Sequence, residues 1–415
     1  MLRIMFVCHG NICRSPMAEL VLRNMLKENN MENMATVCSR ATSTEELGNP
    51  VYPPARAELA KHGFFFPCSP GSAEAATIGG MVAANASGMK AVKYGATRDF
   101  VLGLTFVKAD GEIVRAGTKT IKDSSGYQLA RLLCGSEGTL GIITEVTLML
   151  TTKPKTSASL LASFKTVYDA GRCVSAIMAH PLIPASCELM DKVSISAVNK
   201  SQGNPLPDCE ALLILEADGE PEQVDRDLKT MEEIAKSIGA LDVVPTYDKK
   251  QIAAWTSARK SVMTSLSQLK PGFTSVSLAD DMAVPISKIP DAVTAYQEIS
   301  DKYRVTVATY GHAADGNLHT KMLLDPLDKD EWDRGVAAVT EIFDRTIELG
   351  GTVTGEHGVG ISKALDFQKE RASVLSSIRA IKKAMDPNNI LNPGKLEQWE
   401  GPILRNLRYP CKEYM

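Results

Sequence analysis

From about Ser157 to Tyr303 the chain alternates short apolar runs with longer amphipathic stretches, and this alternation limits the fold more than any other feature. Leu160–Phe164, Ser186–Met190 and Ala211–Glu216 are short, apolar and bounded by turn residues, so they read as strands. Val167–Met178 and Pro221–Ile238 repeat their apolar residues at helical spacing. A further helix begins near Lys249, Thr274–Ala279 reads as a strand ending at Asp280-Asp281, and a helix after Met282-Ala-Val-Pro285 runs to Tyr303. Repeats of this kind predict an α+β, ferredoxin-like layer with helices on one side of the sheet.

The length of 415 residues allows two or three domains. A net charge of −3 gives no electrostatic footprint for nucleic acid. No run of eighteen apolar residues exists, so no transmembrane helix is expected. The apolar start Met1–Cys8 is too short for a signal peptide. Nine unpaired-looking cysteines fit a reducing cytosol, so the predicted location is cytoplasmic, with peripheral membrane attachment as the alternative.

The first residues carry a pattern of their own. An apolar strand, Leu2–Val7, is followed by Cys8-His-Gly-Asn-Ile-Cys-Arg14-Ser15 and an amphipathic stretch from Pro16 to about Asn29. A loop between a strand and a helix N-terminus offers backbone N–H groups to an anion. Cys8 would be the thiolate nucleophile there, and Arg14 would hold two phosphate oxygens. At about Phe64 the pattern changes. Ala76–Gly88 is rich in glycine and small residues, which suits either close backbone approach to a pyrophosphate or tight helix packing. Strands at Val101–Lys108 and Glu112–Val114 flank an Asp110-Gly111 turn. Gly135–Gly141 then leads into an apolar strand, Ile142–Leu150.

The chemistry concentrates near the C-terminus. Only six histidines occur in the chain, and two of them, His312 and His319, share Tyr310-Gly-His-Ala-Ala-Asp-Gly-Asn-Leu-His319. A third, His357, lies in Gly355-Glu-His-Gly358. Apolar runs, Tyr303–Tyr310 and Gly351–Thr354, precede both. Two imidazoles and a carboxylate with an open fourth position make a divalent-metal site of catalytic type. His312, His319 and Glu356 could supply it, leaving His357 as a proton acceptor. The alternative is a set of unrelated surface or core histidines. Arg259, in Trp255-Thr-Ser-Ala-Arg259, could clamp a carboxylate or belong to a solvated helix face.

YGHAADGNLH, GTVTGEHGVG and AMDPNNILNPGKL, in that order, resemble the C-terminal half of the FAD-linked D-2-hydroxyacid dehydrogenases, the D-lactate dehydrogenase and glycolate oxidase large-subunit group. PGSAEAATIGGMVAANASG, KYGATRDFVLGL and CGSEGTLGIIT resemble the flavin domain of the same group. The resemblance implies that Pro70, Gly71, Thr77, Gly79, Gly80, Asn85, Ser87, Gly88, Tyr94, Gly95, Glu137, Gly138, Gly141 and Ile143 line an FAD site, with Asn392 near the flavin ring. It favours Arg259 as the substrate carboxylate clamp, His357 as the base and zinc as the ion, with manganese or iron as alternatives. Asp315 and Asn317 would orient the histidines. The partners implied are a small 2-hydroxyacid and an electron acceptor: a quinone, a cytochrome, a flavoprotein or an iron–sulfur subunit.

Residues 1–63 are different. VCHGNICRSPMAE and SRATSTEELGNPVYPPARAELAKHGF resemble low-molecular-weight protein tyrosine phosphatases, but no aspartate occurs before Asp99 to serve as that family's general acid. The expected organisation is therefore a truncated phosphatase-like segment over 1–63, a partial PCMH/VAO-type FAD-binding domain over 64–155 lacking its N-terminal subdomain, an α+β substrate and metal domain over 156–396 with a helical C-terminal part, and an unassigned tail over 397–415. Two other readings stay open: phosphatase activity through Cys8 and Arg14, and an inactive join of two truncated reading frames.

Overall fold

A computed structural model describes residues 2–8, 35–41, 58–73, 76–270, 272–276 and 280–396, with 2–8 and 35–41 described by backbone alone. Arg14, the side chain of Cys8 and the expected helix after Pro16 lie outside the described residues. The chain divides into two units. The first comprises Met1–Ser87, Gly95–Lys153 and Ser373–Gln398; the second comprises Gly88–Tyr94, Pro154–Ala372 and Trp399–Met415.

In the first unit, β1 (Leu2–Cys8) and β2 (Ala35–Ala41) pair in parallel. β3 (Phe64–Phe65) comes next. β4 (Val101–Val107) is the centre of a three-stranded antiparallel sheet, between β5 (Ile113–Gly117) and β6 (Ile142–Leu148). The expected turn at Asp110-Gly111 joins β4 to β5, with Gly111 at φ 86°. β7 (Thr151–Thr152) closes the unit by pairing with β3. The small-residue run forms a helix, Ile78–Ala84, which starts where Thr77 accepts the Gly80 N–H and ends where Asn85 turns left-handed. Val82, Leu104, Phe106 and Leu133 fill the core. The helix Leu375–Met385 returns to this unit through Lys382, whose ammonium donates to the carbonyls of Thr139 and Leu391.

The second unit is built on one antiparallel sheet. Its strands are β8 (Thr156–Phe164), β9 (Ser186–Asp191), β10 (Ala211–Gly219), β11 (Asp242–Thr246), β12 (Thr274–Val276), β13 (Met282–Ala283), β14 (Thr306–His312) and β15 (Asn317–Leu324). The spatial order is β11-β8-β10-β9-β14-β15-β12, and β13 also pairs with β15. The expectation of helices on one side is corrected here. Along β10, Leu213 and Leu215 pack with helices Val167–Met178, Pro221–Ile238, Ile289–Tyr303 and Lys329–Glu348, whereas Leu212 and Ile214 pack with Lys192–Gln202 and Lys249–Lys260. Successive side chains point to opposite faces, so a run apolar at every position, as in Ala211–Leu215, marks a strand covered on both.

Three boundaries differ from the sequence reading. The Tyr303–Tyr310 run gives its first residue to a helix, and β14 starts at Thr306. Gly351–Thr354 makes a single bridge, Ala283 with Thr352, rather than a strand. The short strip Gly88–Tyr94 joins the second unit because the fully buried Asp218 receives Lys93 at 2.6 Å, the Tyr94 hydroxyl at 2.9 Å and Lys90 at 3.1 Å.

Candidate functional site

β14 and β15 form a hairpin around Ala313–Asp315 and Gly316. Its register sets Tyr310 against His319 and His312 against Asn317, while β9 sets Glu188 against His312. Directly paired residues share a face of the sheet, so one row reads Glu188, His312, Asn317, and the next reads Met190, Tyr310, His319. The turn needs glycine at 316: φ is +84°, and an added Cβ would run into the Val284 carbonyl oxygen.

The other half of the site is the loop Thr354–Gly358. Asp281, buried and at φ 75°, gathers it. Its carboxylate accepts from the N–H groups of Gly355 (3.1 Å), Glu356 (3.0 Å) and His357 (2.7 Å), from the Thr354 hydroxyl (2.8 Å) and from Asn317 Nδ2 (2.9 Å). Glu356 Oε1 is thereby delivered to the histidines. It lies 3.5 Å from His312 Nε2, 3.7 Å from His319 Nε2 and 3.7 Å from His357 Nε2. The three imidazoles are neighbours, with His319 stacked on His357 at 5.2 Å and edge-on to His312 at 5.4 Å.

The opposite ring nitrogens face carboxylates. His312 Nδ1 meets Glu188 Oε1 at 2.7 Å, and His319 Nδ1 faces Asp280 Oδ1 at 3.3 Å. A proton kept on Nδ1 by such a carboxylate would leave Nε2 to face an ion, the tautomer a metal ligand requires. Donor types and convergence fit a divalent ion held by His312, His319 and Glu356. The ligand atoms that lie within 4.8 Å of one another belong to Asp281, His319, Glu356 and His357, with His312 outside that set; five donors already engage the Asp281 oxygens, and it serves the loop. His357 is the accessible member, its side chain 47% exposed against 10% for His312 and 7% for His319.

The charge environment is tightly paired. Burial alone would lower the His312 pKa, but Glu188 and Glu356 outweigh it and raise it to about 10. Burial and the neighbouring His312 push His319 downward. Burial alone would raise Glu356, yet the three histidines bring it to about 2. Asp280 sits well below the usual carboxylate range: burial opposes this, but His319, Lys321 and His357 prevail. Lys321 donates to the Asp280 carboxylate, and Lys363, pushed down by burial, donates to the Asp280 carbonyl.

Arg259 lies on the buried face of its helix with Trp255 and Ala258, so the solvated-face reading is excluded. Its guanidinium stacks on Tyr310 at 4.7 Å, and Nε lies 2.7 Å from Glu188 Oε2. Nε and Nη2 are both buried with no hydrogen-bond partner among the described residues, the Glu188 contact being an ion pair only. A buried donor in that state is costly unless a ligand completes it.

The structure thus brings His312, His319, Glu356 and His357 together, and sets Arg259 one carboxylate away. Of the two residues expected to orient the histidines, Asn317 bonds to Asp281 and Asp315 accepts the Asn317 N–H at 3.2 Å, while Glu188 and Asp280 face the ring nitrogens. Glu188, Asp280, Asp281, Lys321 and Lys363 were missed. Glu188 had a legible signal, a lone charge in the apolar strand Ser186–Met190. Lys321 had another, two residues beyond His319 on a strand.

The expected flavin residues divide by role. At Gly71 an added Cβ would meet nothing within 4 Å. Thr77, Gly79 and Gly80 open a helix, with Asn85 at its end. Glu137 and Gly138 form a left-handed turn at φ 50° and 72°, and Asn392 Nδ2 donates to the Glu137 carbonyl. Open glycine backbone and a helix N-terminus suit a flavin pyrophosphate. Gly141 and Ile143 instead serve the unit itself, since a Cβ at 141 would strike Phe106 and Ile143 lies in the core. Pro70 caps a turn by accepting the Ala73 N–H, Gly88 and Gly95 take positive φ, Ser87 lies between Ala86 and Gly88, and Tyr94 turns its hydroxyl to Asp218.

Comparison with known proteins identifies the family. The model for the C-terminal domain of FAD linked oxidases matches residues 153–396, and an FAD binding domain model matches 33–117. The chain is 42% identical over 336 residues to glycolate oxidase subunit GlcD of Bacillus subtilis, covering 80% of this chain and 71% of that one. It is 34% identical over 370 residues to D-lactate dehydrogenase of Archaeoglobus fulgidus, covering 88% and 77%. Among solved structures, alkyldihydroxyacetonephosphate synthase aligns with TM-score 0.63 at 17% identity over 95% of this chain and 73% of that one. A 4-ethylphenol oxidase from Gulosibacter chungangensis aligns with TM-score 0.62 at 16% identity over 88% and 81%. These two likenesses concern the fold alone, and bear out a mixed α/β architecture. The FAD binding match begins at residue 33, inside the stretch that resembles a phosphatase, so a phosphatase segment gains no support. No helix among the described residues is long and apolar enough to cross a membrane.

Proposed function

The chain belongs to the FAD linked oxidase family, and on that premise we propose that it oxidises a small D-2-hydroxyacid, of the D-lactate or glycolate kind, to the 2-keto acid. The observation that carries this reading is the convergence of three Nε2 atoms on Glu356 Oε1, with Arg259 Nη2 buried and without a hydrogen-bond partner among the described residues.

Arg259 binds the substrate carboxylate through its unused edge, and its stacking on Tyr310 keeps the guanidinium plane fixed. His312, His319 and Glu356 would hold the divalent ion, zinc by donor type with manganese or iron as alternatives; such an ion supplies Lewis acidity toward the hydroxyl. His357, half exposed and on the same centre, accepts the hydroxyl proton. FAD, when bound, would supply the two-electron acceptor for the hydrogen on carbon. Pro70, Gly71, Thr77, Gly79, Gly80 and the Glu137–Gly138 turn with Asn392 would hold it. The acceptor that would reoxidise it is a quinone, cytochrome, flavoprotein or iron–sulfur subunit.

The test is an absorbance spectrum of the protein after incubation with FAD and zinc and removal of the excess. A retained flavin band that bleaches anaerobically with D-lactate or glycolate is expected, and His357→Ala should slow the bleaching by roughly 10²–10⁴-fold while leaving zinc bound. A protein that keeps no flavin, or whose flavin neither acid reduces, rejects the reading.

A further inference from the structure

Glu188 has no solvent exposure and no place in the chemistry above. It stands on β9, directly across from His312 on β14. Each of its oxygens has one neighbour of different purpose: Oε1 is hydrogen-bonded to His312 Nδ1 at 2.7 Å, and Oε2 lies 2.7 Å from Arg259 Nε as an ion pair out of line for a hydrogen bond. One rigid carboxylate therefore touches a ligand of the metal centre and the guanidinium that receives the substrate acid. Its backbone is locked into the sheet on both sides, between β10 and β14, so neither arm can shift without the other.

We propose that Glu188 is a two-armed positioning residue: it holds the His312 ring in the metal-binding tautomer and fixes the angle at which Arg259 meets the acid. The proposal rests on the function assigned above and adds a specificity device to it. The distance between metal and carboxylate clamp is set by one side chain, so the centre selects acids whose hydroxyl and carboxylate sit on adjacent carbons.

The chemistry of the amide makes the two arms separable. In Glu188→Gln, the metal-bound centre requires His312 to keep its proton on Nδ1, so the amide oxygen must turn to His312. The amide nitrogen then faces Arg259 Nε, a donor against a donor. Glu188→Ala removes both arms at once.

Two titrations by calorimetry test this on the full chain: zinc into the metal-free protein, and D-lactate into zinc-loaded protein whose flavin has been reduced with dithionite so that no turnover occurs. Glu188→Gln should keep zinc affinity within about threefold of the parent but weaken D-lactate binding by about tenfold or more. Glu188→Ala should weaken D-lactate similarly and also lower zinc affinity by about 10–100-fold. Glycerate, with the same adjacent groups, should follow D-lactate, and 3-hydroxybutyrate should bind poorly to the parent. Unchanged affinities in both variants overturn the proposal, as does a parallel loss of zinc and acid in a folded Glu188→Gln. Should Glu188→Ala fail to fold, Glu188→Gln decides alone. A parent chain that binds none of zinc, manganese and iron(II) rejects the assigned function, and the proposal falls with it; a parent that binds metal and D-lactate while the variants do not separate rejects the proposal only.

Discussion

β14 and β15 present His312 and His319 from seven registered residue pairs, whereas Glu356 and His357 ride an irregular loop whose neighbouring segment makes one bridge, Ala283 with Thr352. The hairpin half is held by a backbone ladder that many bonds share. The loop half is held by one buried carboxylate, Asp281, with five donors aimed at it. Two motifs that look equally glycine-rich thus differ in how their positions are enforced. A ladder tolerates the loss of any single bond, while a hub does not.

The sharpest way to break this contrast is Asp281→Ala. It strands several buried N–H groups and leaves Lys363 without its nearby charge, 3.6 Å away. Zinc affinity, measured by titration of the metal-free protein, should fall by about 100-fold, with a lower melting temperature. Thr309→Ala, in the hairpin ladder on the opposite face, should change zinc affinity less than threefold. Equal effects would mean that the loop is not hung on Asp281.

Glycine substitutions sharpen the comparison at smaller amplitude. A Cβ at Gly311 would run into the Asn317 carbonyl of the paired strand, and one at Gly355 into the Asn317 side-chain amide. Each change should cost about 1–3 kcal/mol. Gly311→Ala should appear mainly in the melting temperature. Gly355→Ala should appear mainly in zinc affinity, because the loop rather than the sheet gives way.

The smallest effect concerns protons. His312 is raised to about 10 by Glu188 and Glu356 against the opposing cost of burial, so in the metal-free protein it is protonated at neutral pH. The ion needs its Nε2 unprotonated, so binding expels a proton. Zinc affinity should therefore rise about tenfold per pH unit from pH 7 toward the His312 pKa, with about one proton released in calorimetry across buffers of different ionisation heat. A flat profile would show that His312 stays neutral without metal.

Much of the site could be read from residue types. Four of its members announced themselves as rare histidines and a Gly-Glu-His-Gly step, and Arg259 as an arginine following a tryptophan by one helical turn. The carboxylates behind them could not be read in the same way. Asp280-Asp281 looked like an ordinary strand end, and Glu188 lies 124 positions from the histidine it orients.

Local pattern alone determined the helices Val167–Met178, Pro221–Ile238 and the approximate strands, because apolar periodicity reflects a face that must be buried wherever the element packs. It also determined that two imidazoles and a carboxylate were present in glycine-rich turns. Tertiary structure decided that the sheet is covered on both faces, that Ser373–Gln398 returns to the first unit, and that Glu188 stands between His312 and Arg259. Those facts depend on strand order and register. The register of β9 against β14 is set by packing across the whole sheet, so no window of sequence contains it.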